Sequence, residues 1–119
     1  KVPLGDVNVT SSGLCHITAL SAQDLRIHGR GPFFGQAEVN GGRLSFDPLT
    51  KAVGTNFEVT GRFREVAAYL KPYTRLTTKG PVAGEYHVTA PDYSTLTHTG
   101  PISGEKTDSI SSKARVSFD

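Results

Sequence analysis

Tryptophan and methionine are absent from this 119-residue chain, and cysteine occurs once. The lone Cys15 cannot close an internal disulfide or build a cysteine-rich metal frame, and it reads as a small buried side chain. Stability must therefore come from an ordinary hydrophobic core. No apolar run approaches the ~20 residues that a membrane-spanning helix needs, and no basic-then-apolar leader opens the chain. Lysine as the first residue fits a processed or excised chain. A charge excess is missing too. Thirteen basic and eleven acidic side chains leave a formal charge of +2, far short of the clustered positive charge of a dedicated duplex-DNA binder.

Catalytic wording is equally scarce. The chain holds no Gly-x-Gly-x-x-Gly, no phosphate-binding P-loop and no Gly-x-Ser-x-Gly elbow. His16, His28, His87 and His98 show neither the strand nor the helix spacing that gathers metal ligands. Cys15 and His16 are neighbours and so point to opposite sides of a strand, which disfavours a local dyad. Asp24, Arg26 and His28 share a strand face, but Asp24 and His28 stand about 13 Å apart at ~3.3 Å per residue, as expected of a solvated face. The reading is of a non-enzyme with no cofactor, metal or catalytic residues.

What the chain does have is alternation. From Thr55 to Phe63, Phe57, Val59 and Phe63 point one way while Asn56, Glu58, Thr60 and Arg62 point the other, the signature of a half-buried strand. Asp24–His28, Arg43–Asp47 and Ala114–Phe118 repeat the pattern. Further strands are expected at Val2–Thr10, Leu14–Leu20, Phe33–Asn40, Thr74–Thr78, Val82–Thr89 and Ser94–Thr97. Turn residues separate them, at Asp47-Pro48, Ala90-Pro91-Asp92 and Gly100-Pro101. Asn40-Gly41 is the best hairpin turn, joining Gln36–Val39 to Arg43–Phe46. One short helix is predicted over Arg64–Leu70, where Val66, Tyr69 and Leu70 fall at helical spacing before Pro72.

A recurring wording accompanies the strands. Gly5-Asp6-Val7-Asn8-Val9-Thr10, Gly35-Gln36-Ala37-Glu38-Val39-Asn40 and Gly84-Glu85-Tyr86-His87-Val88-Thr89 share one template, and Asn56-Phe57-Glu58-Val59-Thr60 fits it without the leading glycine. Gly-Pro-x-x-Gly followed by an acid or amide begins at Gly31, Gly80 and Gly100. Template spacings of about 30, 20 and 29 residues are too uneven for a stacked solenoid with a constant period. The expected fold is therefore all-β: a single domain over residues 1–119, an antiparallel β-barrel or β-sandwich of about eight short strands. Thr95–Lys113, rich in Thr, Ser, Gly and Pro, suits an arm or loop. Gly41-Gly42-Arg43-Leu44 followed by Phe46-Asp47-Pro48 resembles the strand-turn wording of YceI-like lipid-binding barrels over a handful of residues, and no function is carried over from it.

The function expected is a structural or docking module acting through self-association, such as a viral or phage structural component, with a homo-oligomer or another protein as partner. The alternatives are a small β-barrel holding an apolar ligand and an oligonucleotide-binding barrel for single strands. Nucleic acid is not favoured, although basic and aromatic residues mingle at Tyr69, Lys71, Tyr73, Arg75 and Lys79, and at Arg26, Arg30, Phe33 and Phe34. These nine residues form the candidate binding surface. A lectin reading is weak without tryptophan, with Tyr73 and Tyr93 as its available rings. Asn8-Val9-Thr10 matches a glycosylation acceptor.

Overall fold

A computed structural model describes residues 4–30, 32–48 and 55–118. Its regular structure is entirely β: β1 (Leu4–Ser11), β2 (Cys15–Gly29), β3 (Phe33–Pro48), β4 (Thr55–Tyr69), β5 (Thr74–Lys79), β6 (Tyr86–Ala90), β7 (Thr95–Thr99), β8 (Lys106–Ile110) and β9 (Arg115–Phe118). Every pairing between them is parallel. Paired residues lie 17 to 22 positions apart, and in the last coils the offset is a constant 20, as in Arg75↔Thr95 and Thr95↔Arg115. The chain thus winds into a β-solenoid, each coil laid on the previous one at the ~4.8 Å spacing of hydrogen-bonded strands.

Each coil has two flanks. The first holds the opening halves of β2, β3 and β4, followed by β5, β7 and β9; the second holds β1, the closing halves of β2, β3 and β4, then β6 and β8. Strands β2 and β3 turn the corner between flanks through register shifts at Ala22/Leu25 and Asn40/Gly42. In later coils the corner breaks the strand, leaving single bridges Phe63↔Val82 and Val82↔Ile102. Glycine makes this corner. Gly61, Gly80 and Gly100 all have positive φ, near 120°, 135° and 128°. A Cβ on Gly80 would run into the Gly61 carbonyl, and one on Gly100 into that of Gly80. Only glycine suits both demands.

Alternation places like positions in columns that run the length of the solenoid. On the first flank one inward column reads Ile17, Gly35, Phe57, Leu76, Leu96, Val116, and another Leu20, Ala37, Val59, Thr78, His98, Phe118. On the second flank the inward columns are Val7, Leu25, Leu44, Val66, Tyr86, Lys106 and Val9, Ile27, Phe46, Ala68, Val88, Asp108. The two flanks pack against each other through these side chains. Phe46 meets Phe57 across the interior at 6.3 Å between ring centroids, and Phe33 meets Phe46 edge-on at 6.4 Å. The result is a slab of 38 × 32 × 16 Å.

The structure corrects several expectations. The antiparallel β-barrel and β-sandwich are replaced by the parallel solenoid, because alternation reports which side chains face the core and is silent on strand direction. The barrel interior that an apolar ligand or an oligonucleotide-binding barrel would require goes with it. The predicted helix Arg64–Leu70 falls in β4 up to Tyr69: Val66, Ala67 and Ala68 are all buried there, and Val66 to Tyr69 pair with Tyr86 to Thr89. Asn40-Gly41 is a bulged bend inside β3 rather than a hairpin, since the chain crosses the corner without reversing. Thr95–Lys113 is no arm, because it carries β7 and β8. Among the described residues no helix is long and apolar enough to cross a membrane.

Candidate functional site

A hollow of about 540 Å³ lies on the outside of the second flank and crosses four coils. Its geometry follows from the outward positions of β1 to β4. Asp6 stands over Asp24 and Asn8 over Arg26, Arg26 faces Ser45, and Ser45 faces Ala67. The short side chains of Ser45 and Ala67 leave a trough, with Arg43 and Arg64 on one rim and Asp47 and Tyr69 on the other. The bulges at the corner aim Asp24 into this trough, since each adds a residue and re-directs the chain. Its Oδ1 accepts a hydrogen bond from the Arg43 backbone N–H at 2.7 Å.

That bond splits the proton affinities of the two aspartates. The Arg43 amide, then the hydrogen bond from Asp6, hold the Asp24 carboxyl below its usual range, while the bond to Asp24 and its negative charge push the Asp6 carboxyl up. Arg43 is committed to Glu65, with Nε 3.0 Å from Oε1. Arg26 and Arg64 make no ion pair among the described residues. The trough therefore brings carboxylate acceptors and planar guanidinium donors together in one hollow.

A second polar cluster sits inside the core. Thr78 Oγ1 is 2.8 Å from the Tyr86 hydroxyl and 2.7 Å from His98 Nδ1, and all three residues are buried. A neutral His98 accepting at Nδ1 carries its proton on Nε2, which has no hydrogen-bond partner. Burial holds His98 below the ordinary histidine range and raises the Tyr86 hydroxyl. Among the described residues, no three His, Cys, Asp or Glu side chains gather in a way that could hold a metal ion.

The two flanks end differently beside β8 and β9. On the second flank Lys106 and Asp108 occupy the inward columns, and β8 is exposed throughout. On the first flank those places hold Val116 and Phe118, both half-buried. Phe118 packs edge-on against Tyr86 at 5.2 Å, with the Lys106 ammonium 4.7 Å from its ring. At the opposite end, Ile17 and Leu20 of the same columns are also half-buried. No described residue pairs with the outer edge of β9 or with that of the opening half of β2.

The nine sequence-selected residues disperse over this framework. Arg26 and Tyr69 line the trough. Phe33 is fully buried, whereas Phe34 points outward on the first flank against His16, ring centroids 4.9 Å apart. Arg30 follows β2, its backbone N–H bonded to the Ser11 carbonyl at 2.8 Å. Lys71 and Tyr73 belong to the turn between β4 and β5. Tyr73 and Tyr93, each with φ near 66°, stack on each other at 5.5 Å and stay about half exposed. Arg75 is exposed between Asn56 and Thr95, and Lys79 pairs with Glu58 at 3.0 Å. Sequence reasoning missed Asp6, Arg43, Ser45, Asp47 and Arg64 as one group. The signal that could have found part of it is the 18-residue echo of Asp6-Val7-Asn8-Val9 in Asp24-Leu25-Arg26-Ile27. The chain matches no protein-family model, and searches of the curated proteins and of the solved structures return no match.

Proposed function

We propose that the protein is a non-catalytic assembly module that associates with copies of itself by continuing its first-flank sheet from one molecule to the next. The observation that carries this reading is that, among the described residues, nothing covers either edge of that flank. Natural sheets commonly protect an edge by turning a charge inward. The second flank has that protection in Lys106 and Asp108, while β9 turns Val116 and Phe118 to the same level. Because all strands run parallel, the opening half of β2 in a second copy can follow β9 in the same direction, setting Ile17 over Val116 and Leu20 over Phe118 in the columns those residues already share. Such a contact is head-to-tail and propagates as an open filament rather than closing as a two-fold dimer.

Sedimentation and light scattering over a wide concentration range test the reading. Mass should grow with concentration in the parent protein, and Val116→Lys, which turns a charge inward on β9, should hold it at the monomer. A parent that stays monomeric at the highest attainable concentration overturns the proposal.

A further inference from the structure

The outer trough of the second flank points to a ligand that the assembly reading does not use. We infer that it is a binding site for an uncharged, hydroxyl-rich glycan lying along the solenoid axis.

Three features of the trough select this chemistry. The first is its charge pattern. Asp6 and Asp24 stand side by side on adjacent coils, Arg26 follows on the floor, and Asp47 lies on the rim opposite Arg43 and Arg64. A polyanion drawn to the guanidinium groups would meet a carboxylate at nearly every coil, so phosphodiester or sulfate strands are opposed by the same surface. Sugar hydroxyls both donate and accept, and they suit carboxylates and guanidinium groups equally. The second feature is repetition. Polar side chains recur at the coil spacing of ~4.8 Å, which sets about four successive sites along the trough. A linear polymer of similar units meets such a row with the same groups each time. The third is the Tyr69 ring, 43% exposed at the far rim. It offers a flat apolar face with a hydroxyl at its edge, as expected of an amphipathic contact.

The size is suitable as well. A hollow of about 540 Å³ falls within the ~300–1,000 Å³ of small-molecule sites. The trough is also preformed. Asp24 is fixed by the Arg43 amide and Arg43 by Glu65, so two of its polar groups lose little freedom when a ligand arrives.

Native gels cast with soluble polysaccharides test the inference. The panel holds three neutral probes (an α-glucan, a β-glucan and a galactomannan), two polyanions (a polyuronate and a sulfated glycan), and, run separately, a fluorescent oligothymidine mixed with the protein. At least one neutral polysaccharide should retard the parent protein. Retardation should weaken at least tenfold in Tyr69→Ala, which removes the exposed ring, and in Ser45→Arg, which fills the floor. Circular dichroism confirms that each variant stays folded, and both sites lie on the outer surface. The inference is overturned if none of the neutral probes retards the protein, if only the polyanions or the oligonucleotide bind, or if both folded variants are retarded like the parent. None of these outcomes bears on self-association, which uses the first-flank edges.

Discussion

Replacing Gly80 by alanine separates the stacked-coil architecture from any other arrangement of the same strands. Gly80 has φ near 135°, and a Cβ there would collide with the Gly61 carbonyl oxygen of the coil before it. Gly41 provides the comparison, since its φ of 86° is also positive but nothing lies within 4 Å of its added Cβ. Gly13 is a blank with open space and no left-handed φ. Gly41→Ala should therefore cost only the backbone term, about 1–2 kcal/mol. Gly80→Ala carries strain of about 1–3 kcal/mol and must also separate two coils whose hydrogen bonds flank the corner, including Phe63 N–H to the Pro81 carbonyl at 3.0 Å. A total of about 3–5 kcal/mol is expected, in the range reserved for named structural faults. Gly13→Ala should stay within about 0.5 kcal/mol of the parent. Urea unfolding followed by far-ultraviolet circular dichroism measures all three. Equal losses for Gly80→Ala and Gly41→Ala would refute the stacking, because the neighbouring coil supplies most of the difference expected between them.

Three further outcomes follow from the packing and the charges. Phe57→Ala removes a fully buried ring that stacks on Phe46 and should cost about 3–5 kcal/mol, whereas Phe34→Ala on the outer surface should cost under about 1 kcal/mol; urea midpoints decide between them. Folding holds His98 below the ordinary histidine pKa of 6.5, so the unfolded chain binds more protons there, and stability present above pH 6.5 should decline as pH falls below it. Melting temperatures from pH 8 to pH 5 should show that decline, and His98→Gln, which keeps an acceptor for Thr78, should flatten it. The Lys79–Glu58 pair is partly exposed, so a double-mutant cycle should return about 1 kcal/mol or less, shrinking further in high salt.

The sequence made the strands legible and concealed their direction. Phe57, Val59 and Phe63 are buried as alternation requires, and so are Leu25, Ile27, Leu44 and Phe46. Parallel strands are usually buried on both faces and read as continuous apolar runs. Here the outer faces are wet, so the parallel flanks imitate the alternation of an antiparallel sheet. The period was hidden by comparing unlike positions. Gly35 lies mid-flank between Ile17 and Phe57, whereas Gly84 lies past the corner and bonds to the Arg64 carbonyl, so their separation mixes two places on the coil. Gly80-Pro81 and Gly100-Pro101 are equivalent and show the period of 20 directly. The mistaken helix has a similar source. It rested on Val66, Tyr69 and Leu70 at helical spacing, yet Val66 and Leu70 are buried while Tyr69 faces outward, so the three do not share one face. The trough could not be read from strand patterns alone, because its members come from four coils and meet only once the offsets between coils are known.

The constant offset of the later coils makes height and cross-section independent properties of this molecule. Thr74 and Ser94 hold the same place one turn apart, each side-chain hydroxyl bonded to a carbonyl three residues back, Lys71 and Pro91, at 2.6 Å. Excising residues 75–94 would join Thr74 to Thr95 and set β7 directly on β4. The shorter chain would keep its corner glycines in line and lose one storey without disturbing the plan of the others.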